Sequence, residues 1–200
     1  YEIPKRDWSS DVCSSDLGTD RIVSSNDTNM TLTDASLSVT GGGTFALSNF
    51  EEASLSGGAS DNTLDASGFS GTVTLVGAAG NDVLVGGSNN DVLNGGDDND
   101  TLTGGAGDDA LNGGDGTDRV VESVSGSITL SNTQLIGNGT DALSSIEEAN
   151  LTGSAGDDTF TVSGFTGSAT LNAGAGTDRI VSSNDTNMTL TDASLTVTGG

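Results

Sequence analysis

The chain has 200 residues, with 29 acidic against 5 basic side chains, no histidine and a formal charge of −24. Acidity of that degree argues against nucleic acid and anionic membrane surfaces as partners, and no run of apolar residues is long enough to span a bilayer. Without histidine, and with Cys13 as the single cysteine, there is no serine–histidine or cysteine–histidine nucleophile, no zinc site and no disulfide framework.

Residues 1–17, YEIPKRDWSSDVCSSDL, hold every Tyr, Pro, Lys, Trp and Cys of the chain. Such a break in composition marks a foreign segment. The string RDWSSDVCSSDL resembles the translation of a common sequencing-library adapter, so this stretch is expected to be non-native. Without it, 25 acidic and 3 basic residues remain and the charge is −22.

From Gly18 the chain is repetitive. GTDRIVSSNDTNMTLTDASLSVTGG recurs from Gly176 with one change, Ser38 to Thr196, and a divergent copy, GTDRVVESVSGSITLSNTQL, begins at Gly116. The expected organisation is a first module copy at 18–76, a distinct block at 77–121, a second copy at 122–175 and a third at 176–200 that breaks off as the array continues. Alternating polar and apolar residues at 30–40 and 127–135 predict strands. The Ser/Thr/Asn-rich stretches 24–50 and 123–146 are expected to form solenoid rungs with irregular loops. Segments 50–82 and 146–178 match each other, with apolar residues stepping 9, 11 and 9 at Leu55, Leu64, Leu75 and Leu84 and at Leu151, Phe160, Leu171 and Ile180. The longer step marks a two-residue insertion at the turns containing Phe69 and Phe165, both expected to pack in the core.

Residues 77–121 read, in nines, GAAGNDVLV, GGSNNDVLN, GGDDNDTLT, GGAGDDALN and GGDGTDRVV. Position 1 is always glycine (Gly77, Gly86, Gly95, Gly104, Gly113) and position 6 always aspartate (Asp82, Asp91, Asp100, Asp109, Asp118). Position 8 is Leu84, Leu93, Leu102, Leu111 or Val120. One apolar position in nine cannot make a helix face. It suits a very short strand with position 8 pointing in and positions 7 and 9 pointing out, followed by a turn of Gly, Asn and Asp, which tolerate positive φ. Two nines per rung then stack repeat n on n+2, about 4.8 Å apart. Asp82, Asp100 and Asp118 form a column along one edge, and Asp91 and Asp109 along the other. Bare carboxylates so stacked repel by several kcal/mol. A hard divalent cation removes that repulsion, and calcium, which accepts 6–8 oxygens in flexible geometry, suits carboxylates and turn carbonyls better than magnesium does.

The nonapeptide resembles the G-G-x-G-x-D-x-U-x signature of RTX, or hemolysin-type, calcium-binding repeats. The resemblance implies an all-β fold, a parallel β-roll or β-solenoid, with Ca2+ held by the position-6 carboxylates and by backbone carbonyls of the glycine turns. It places ions between Asp82 and Asp100, Asp100 and Asp118, and Asp91 and Asp109. Ala78 at position 2, and Asn89 and Asp98 at position 4, depart from the pattern. Similar turns place Asp158, Asp178 and Asp20 at position 6 as weaker candidate ligands, with Asn62 weaker still. The pairs Glu51–Glu52 and Glu147–Glu148 either add ligands or, the favoured reading, are solvated. No catalytic residues are expected, since the aspartates recur in phase whereas a catalytic pair is singular.

The resemblance further implies a repeat region of a large secreted or cell-surface bacterial protein, exported unfolded and folding on calcium outside the cell, its partners being calcium and further copies of the array. The alternative is the carboxy-terminal carrier of a secreted enzyme or toxin. An ice- or glycan-binding face is a third reading, prompted by Thr-x-Thr triplets such as 31–33 and 101–103, which share no rung spacing.

Overall fold

The computed structural model describes residues 18–183 and the backbones of the short strands Cys13–Ser14, Met188–Thr191 and Ser194–Val197. The adapter-like segment, that strand apart, and much of the third module copy lie outside the described residues. Among the described residues every element is a strand, and the strands form two long sheets, one of 12 and one of 10. Among the described residues no helix is long and apolar enough to cross a membrane.

The nonapeptide period sets the central register. Leu93 pairs with Leu75 on one side and Leu111 on the other, in parallel, in the 10-stranded sheet. Leu84, Leu102 and Val120 form the matching parallel column in the 12-stranded sheet. Consecutive nines therefore fall in opposite sheets, and repeat n lies on n+2. Position 8 fills the space between the sheets: Leu84, Leu93, Leu102 and Val120 are wholly buried. Burying a leucine contributes about 1.5–3 kcal/mol, so this single file carries the apolar stabilisation. Position 7 faces out, and Val83 and Val92 are exposed.

The steps of 9, 11 and 9 also appear as rungs. Leu55 pairs with Leu75 and Leu64 with Leu84, while Leu151 pairs with Leu171 and Phe160 with Ile180. The extra residues bulge at turns closed by Phe69 and Phe165, whose rings are buried as expected.

The module stretches depart from expectation. Met30–Thr33, Ser36–Val39 and Gly43–Ser48 form an antiparallel meander inserted into the parallel stack, its first strand pairing in parallel with Thr63–Gly68. Ser127–Leu130, Gln134–Ile136 and Thr140–Ser144 form a second meander in the opposite sheet, its two outer strands parallel to Thr159–Val162 and to Ala110–Asp115. The cause is local. Thr33 Oγ1 accepts from Ala35 N–H and Ser36 N–H, and Ser131 N–H donates to the Gln134 carbonyl. These four-residue turns reverse the chain before it can cross to the other sheet.

Candidate metal centre

Position 6 opens each strand after a turn, so its side chain points back into the turn rather than to solvent. Asp82, Asp91, Asp100, Asp109 and Asp118 are all buried, none more than 2% exposed. Asp82, Asp100 and Asp118 stack along one edge, as their spacing requires. Each uses Oδ1 in the same way: Asn62 N–H donates to Asp82, Asp82 N–H to Asp100 at 2.7 Å, and Asp100 N–H to Asp118 at 2.8 Å. On the opposite edge Val73 N–H donates to Asp91 and Asp91 N–H to Asp109, each at 2.8 Å.

The second oxygen behaves differently. Oδ2 of Asp82, Asp100, Asp109 and Asp118 is buried without a hydrogen-bond partner. Native proteins rarely leave such an atom alone, and each one signals a missing ion, water or functional strain. These oxygens face the position-1 glycines. A Cβ on Gly77 would collide with Asp82 Oδ2 and the Gly95 carbonyl; on Gly95 it would strike Asp100 Oδ2 and the Gly113 carbonyl. On Gly113 it would strike Asp118 Oδ2 and the Ser145 carbonyl, and on Gly104 Asp109 Oδ2. Position 1 is therefore glycine because a carboxylate oxygen, and in three of these turns a carbonyl of the next rung, share the space beside it. The Gly86 position is similarly crowded, by the Gly104 carbonyl and Asp91 Oδ2.

Burial makes the charged carboxylates costly. It raises the pKa of Asp82, Asp91 and Asp118, and pushes Asp100 up to about 6 and Asp109 up to about 7, against the pull of the N–H donors and, for all but Asp91, with neighbouring carboxylates adding to the rise. A hard cation beside Oδ2 meets all three features: an unpaired oxygen, convergent carbonyls and uncompensated charge. Among the described residues no three Asp, Glu, His or Cys side chains gather closely enough to hold a metal by themselves. A cation held here would need backbone carbonyls beside the carboxylates.

The weaker candidates separate. Asp158 is buried, but both of its oxygens are satisfied: Gly126 N–H donates to Oδ1, and Ser154 N–H to Oδ2. These donors hold its pKa below the usual range. Asp178 lies one rung on and accepts from Asp158 N–H at 2.9 Å. The two are 20 residues apart, because the Phe165 bulge lengthens the rung. Asp20 keeps a buried, unpartnered Oδ2, and its N–H donates to Glu51 Oε2.

Three acidic residues extend the columns beyond those the motif marks. Glu147 Oε2 accepts from Asp118 N–H and so occupies the next place below it, while Glu148 is paired with Arg119. Glu147 and Glu51 stay exposed, so each is solvated while one of its oxygens also accepts a backbone N–H. Asp141 accepts from Asp109 N–H at 3.1 Å and continues the other edge. Its signal was present in the sequence as Gly-Asn-Gly-Thr-Asp at 137–141, which repeats positions 2–6 of the nonapeptide. The place of position 1 falls to Glu122, on the far side of the inserted hairpin. Glu122 is buried, bonded to Asn138 Nδ2, and pushed up to about 7 by burial and then by Asp141.

The stacked turns define a parallel β-roll with buried acidic oxygen sites along its edges. Residues 67–102 and 85–120 match the family described as RTX calcium-binding nonapeptide repeat (4 copies), and this block therefore carries RTX calcium-binding repeats. Repeats of this family are structural calcium-binding units rather than catalytic ones. No curated protein matches the chain.

Proposed function

We propose that the chain is a calcium-folded structural rod within a large secreted or cell-surface protein. Asp82, Asp100, Asp109 and Asp118 would hold the ions through their unpaired Oδ2 atoms, with carbonyl oxygens of the turns, among them those of Gly95 and Gly113, completing the shells. The observation that carries this reading is the set of four buried carboxylate oxygens without a partner, each facing a position-1 glycine. Calcium supplies compensating positive charge there. The chain's own residues fix the oxygens in register and exclude bulk water. A ligand that binds only the ordered turns shifts the folding equilibrium by mass action, so the calcium-poor interior of a cell would favour the unfolded chain and the calcium-rich exterior the rod.

Far-ultraviolet circular dichroism of the chain, titrated with calcium and separately with magnesium, tests this. The expected result is a disordered spectrum in chelator that turns to β at sub-millimolar to millimolar calcium and stays disordered with magnesium. A β spectrum in excess chelator, unchanged by calcium, would overturn the proposal.

A further inference from the structure

The five nonapeptides look alike in sequence, but their turns adopt two states. In the turns of Asp82, Asp100, Asp109 and Asp118, position 2 has positive φ: Ala78 at 92°, Gly96 at 124°, Gly105 at 106° and Gly114 at 114°. Position 4 does likewise, with Gly80 at 100°, Asp98 at 74°, Gly107 at 121° and Gly116 at 149°. Within the nonapeptide block these are the four turns whose Oδ2 is unpartnered, Asp20 being the fifth such residue outside it. In the turn 86–91 neither Gly87 nor Asn89 is among the positive-φ residues. With the chain turned the other way, Gly87 N–H points inward and donates to Asp91 Oδ2 at 2.7 Å. Both oxygens of Asp91 are then satisfied by the protein itself.

The same closure occurs twice more. Gly58 N–H donates to Asn62 Oδ1 at 2.8 Å, and Ser154 N–H to Asp158 Oδ2 at 2.6 Å. Each closed turn directly follows an irregular rung. The turn 57–62 packs on Asp27, which meets Gly58 and accepts from Ser60 N–H. The turn 86–91 packs on the Phe69 bulge: a Cβ on Gly87 would strike the Phe69 carbonyl, and Asn89 Nδ2 bonds to the Ser70 carbonyl. The turn 153–158 follows the start of the second hairpin, at Gly126. Open turns all lie on another nonapeptide-like turn.

We infer that the turn 86–91, although its sequence carries the calcium motif, is held shut by Gly87 N–H and binds no calcium, whereas the turns ending at Asp82, Asp100, Asp109 and Asp118 do. The inference rests on the calcium reading above. It makes Asn89 the determinant: its side-chain bond to Ser70 anchors position 4 outside the positive-φ region that Gly107 and Gly116 use. The first nonapeptide after an interruption thus serves as an adaptor between the irregular rung and the metal-bearing ones.

Native mass spectrometry of the full chain in calcium counts the ions. Asp91→Asn is expected to leave the count unchanged, because Asn62 already makes the same closed turn with Gly58. Asp100→Asn is expected to lose at least one ion, and Asn89→Gly to gain one. Loss of an ion in Asp91→Asn as in Asp100→Asn would overturn the inference while leaving the calcium reading intact; absence of bound calcium in the unmodified chain would instead overturn the reading itself. A second measurement needs no variant. Hydrogen exchange at the Gly87 amide is expected to be slow in calcium, and rapid exchange there would sink the closed turn.

Discussion

The two edges of the roll are built from the same nonapeptide and end up chemically different. On the Asp82 edge, three turns in succession leave a carboxylate oxygen free, and the column runs from Asn62 through Asp82, Asp100 and Asp118 to Glu147. On the Asp91 edge the run is broken. A bulged turn with Val73 in the aspartate's place precedes the self-satisfied Asp91, then comes the free oxygen of Asp109, then Asp141 in a turn split by a hairpin. The difference teaches that a repeat's chemistry is set by the rung it stacks on as well as by its own residues. In a solenoid each unit packs only on its neighbours, so an irregular rung alters the next turn along the same edge.

If that contrast is right, crowding the Asp82 edge should do the most damage. Gly95→Ala places a Cβ against Asp100 Oδ2 and the Gly113 carbonyl at the centre of the unbroken run. The expected loss is at least about 2 kcal/mol, the range of overpacking combined with a disrupted buried polar group. The calcium midpoint of folding should rise with it. Gly156→Ala is the control, since its Cβ would meet nothing nearer than Ser154 Oγ at 3.5 Å, and a change within about 0.5 kcal/mol is expected. Equal losses in the two variants, read by thermal denaturation in saturating calcium, would remove the steric account of position 1.

Asp109→Asn tests the one free oxygen that the nonapeptides leave on the broken edge, and its effect should change sign with calcium. Burial disfavours the charged form of Asp109, whose pKa is about 7. A neutral amide of the same shape should therefore favour the roll in chelator at pH 8, raising the β signal of the otherwise disordered chain. In calcium the lost carboxylate should weaken binding by roughly 10-fold or more, given about 1.5–3 kcal/mol for an interaction with a charged group. No gain of β signal in chelator together with an unchanged calcium midpoint would contradict a site built around that charge.

The same carboxylates set a pH dependence of smaller size. Asp100, at about 6, and Asp109, at about 7, lie above the ordinary range near 4 for an unfolded aspartate. A group whose pKa rises on folding contributes stability at low pH that is lost as pH climbs through the folded value. In chelator, then, the β signal of the otherwise disordered chain should grow from pH 8 to pH 5, with the change centred between about 6 and 7. In calcium the order reverses, because protons compete with the ion for the same oxygens. A chelator profile that falls on acidification over this window would count against buried, uncompensated carboxylates, and Asp109→Asn should flatten the upper part of it.

The parallel architecture was legible because period and burial coincide: one apolar residue in nine, found wholly buried at Leu84, Leu93 and Leu102. The steps at Leu55, Leu64 and Leu75 gave the bulged rungs for the same reason. The antiparallel meanders were not legible as such. Alternation marks a strand at 30–40 and at 127–135, but its partner depends on whether a turn such as Thr33–Ser36 reverses the chain. The columns of Asp82 and Asp91 follow from spacing alone. Asp141 was hidden because a hairpin separates Glu122 from the rest of its turn, and Glu147 because a glutamate from an irregular rung fills an aspartate's place. That Asp91 closes on Gly87 could not be read from its motif, since the cause lies in Ser70 and Phe69 of the rung above.

The smallest expected effect concerns the lower end of the Asp82 edge. Arg119 follows Asp118 and forms an ion pair with Glu148, both partners being partly exposed. If the sites are set by the buried turns, this surface charge should matter little. Arg119→Ala should cost no more than about 1 kcal/mol, the range of exposed pairs, and that loss should shrink as salt screens the pair. The calcium midpoint should move by less than about fivefold, since 1.4 kcal/mol corresponds to a tenfold change. A larger shift that persists in high salt would mean that Arg119 compensates the Asp118–Glu147 carboxylates directly. The end of the unbroken run would then be neutralised in part by the protein, as Asp91 is by Gly87, and the contrast between the edges would narrow to Asp82 and Asp100.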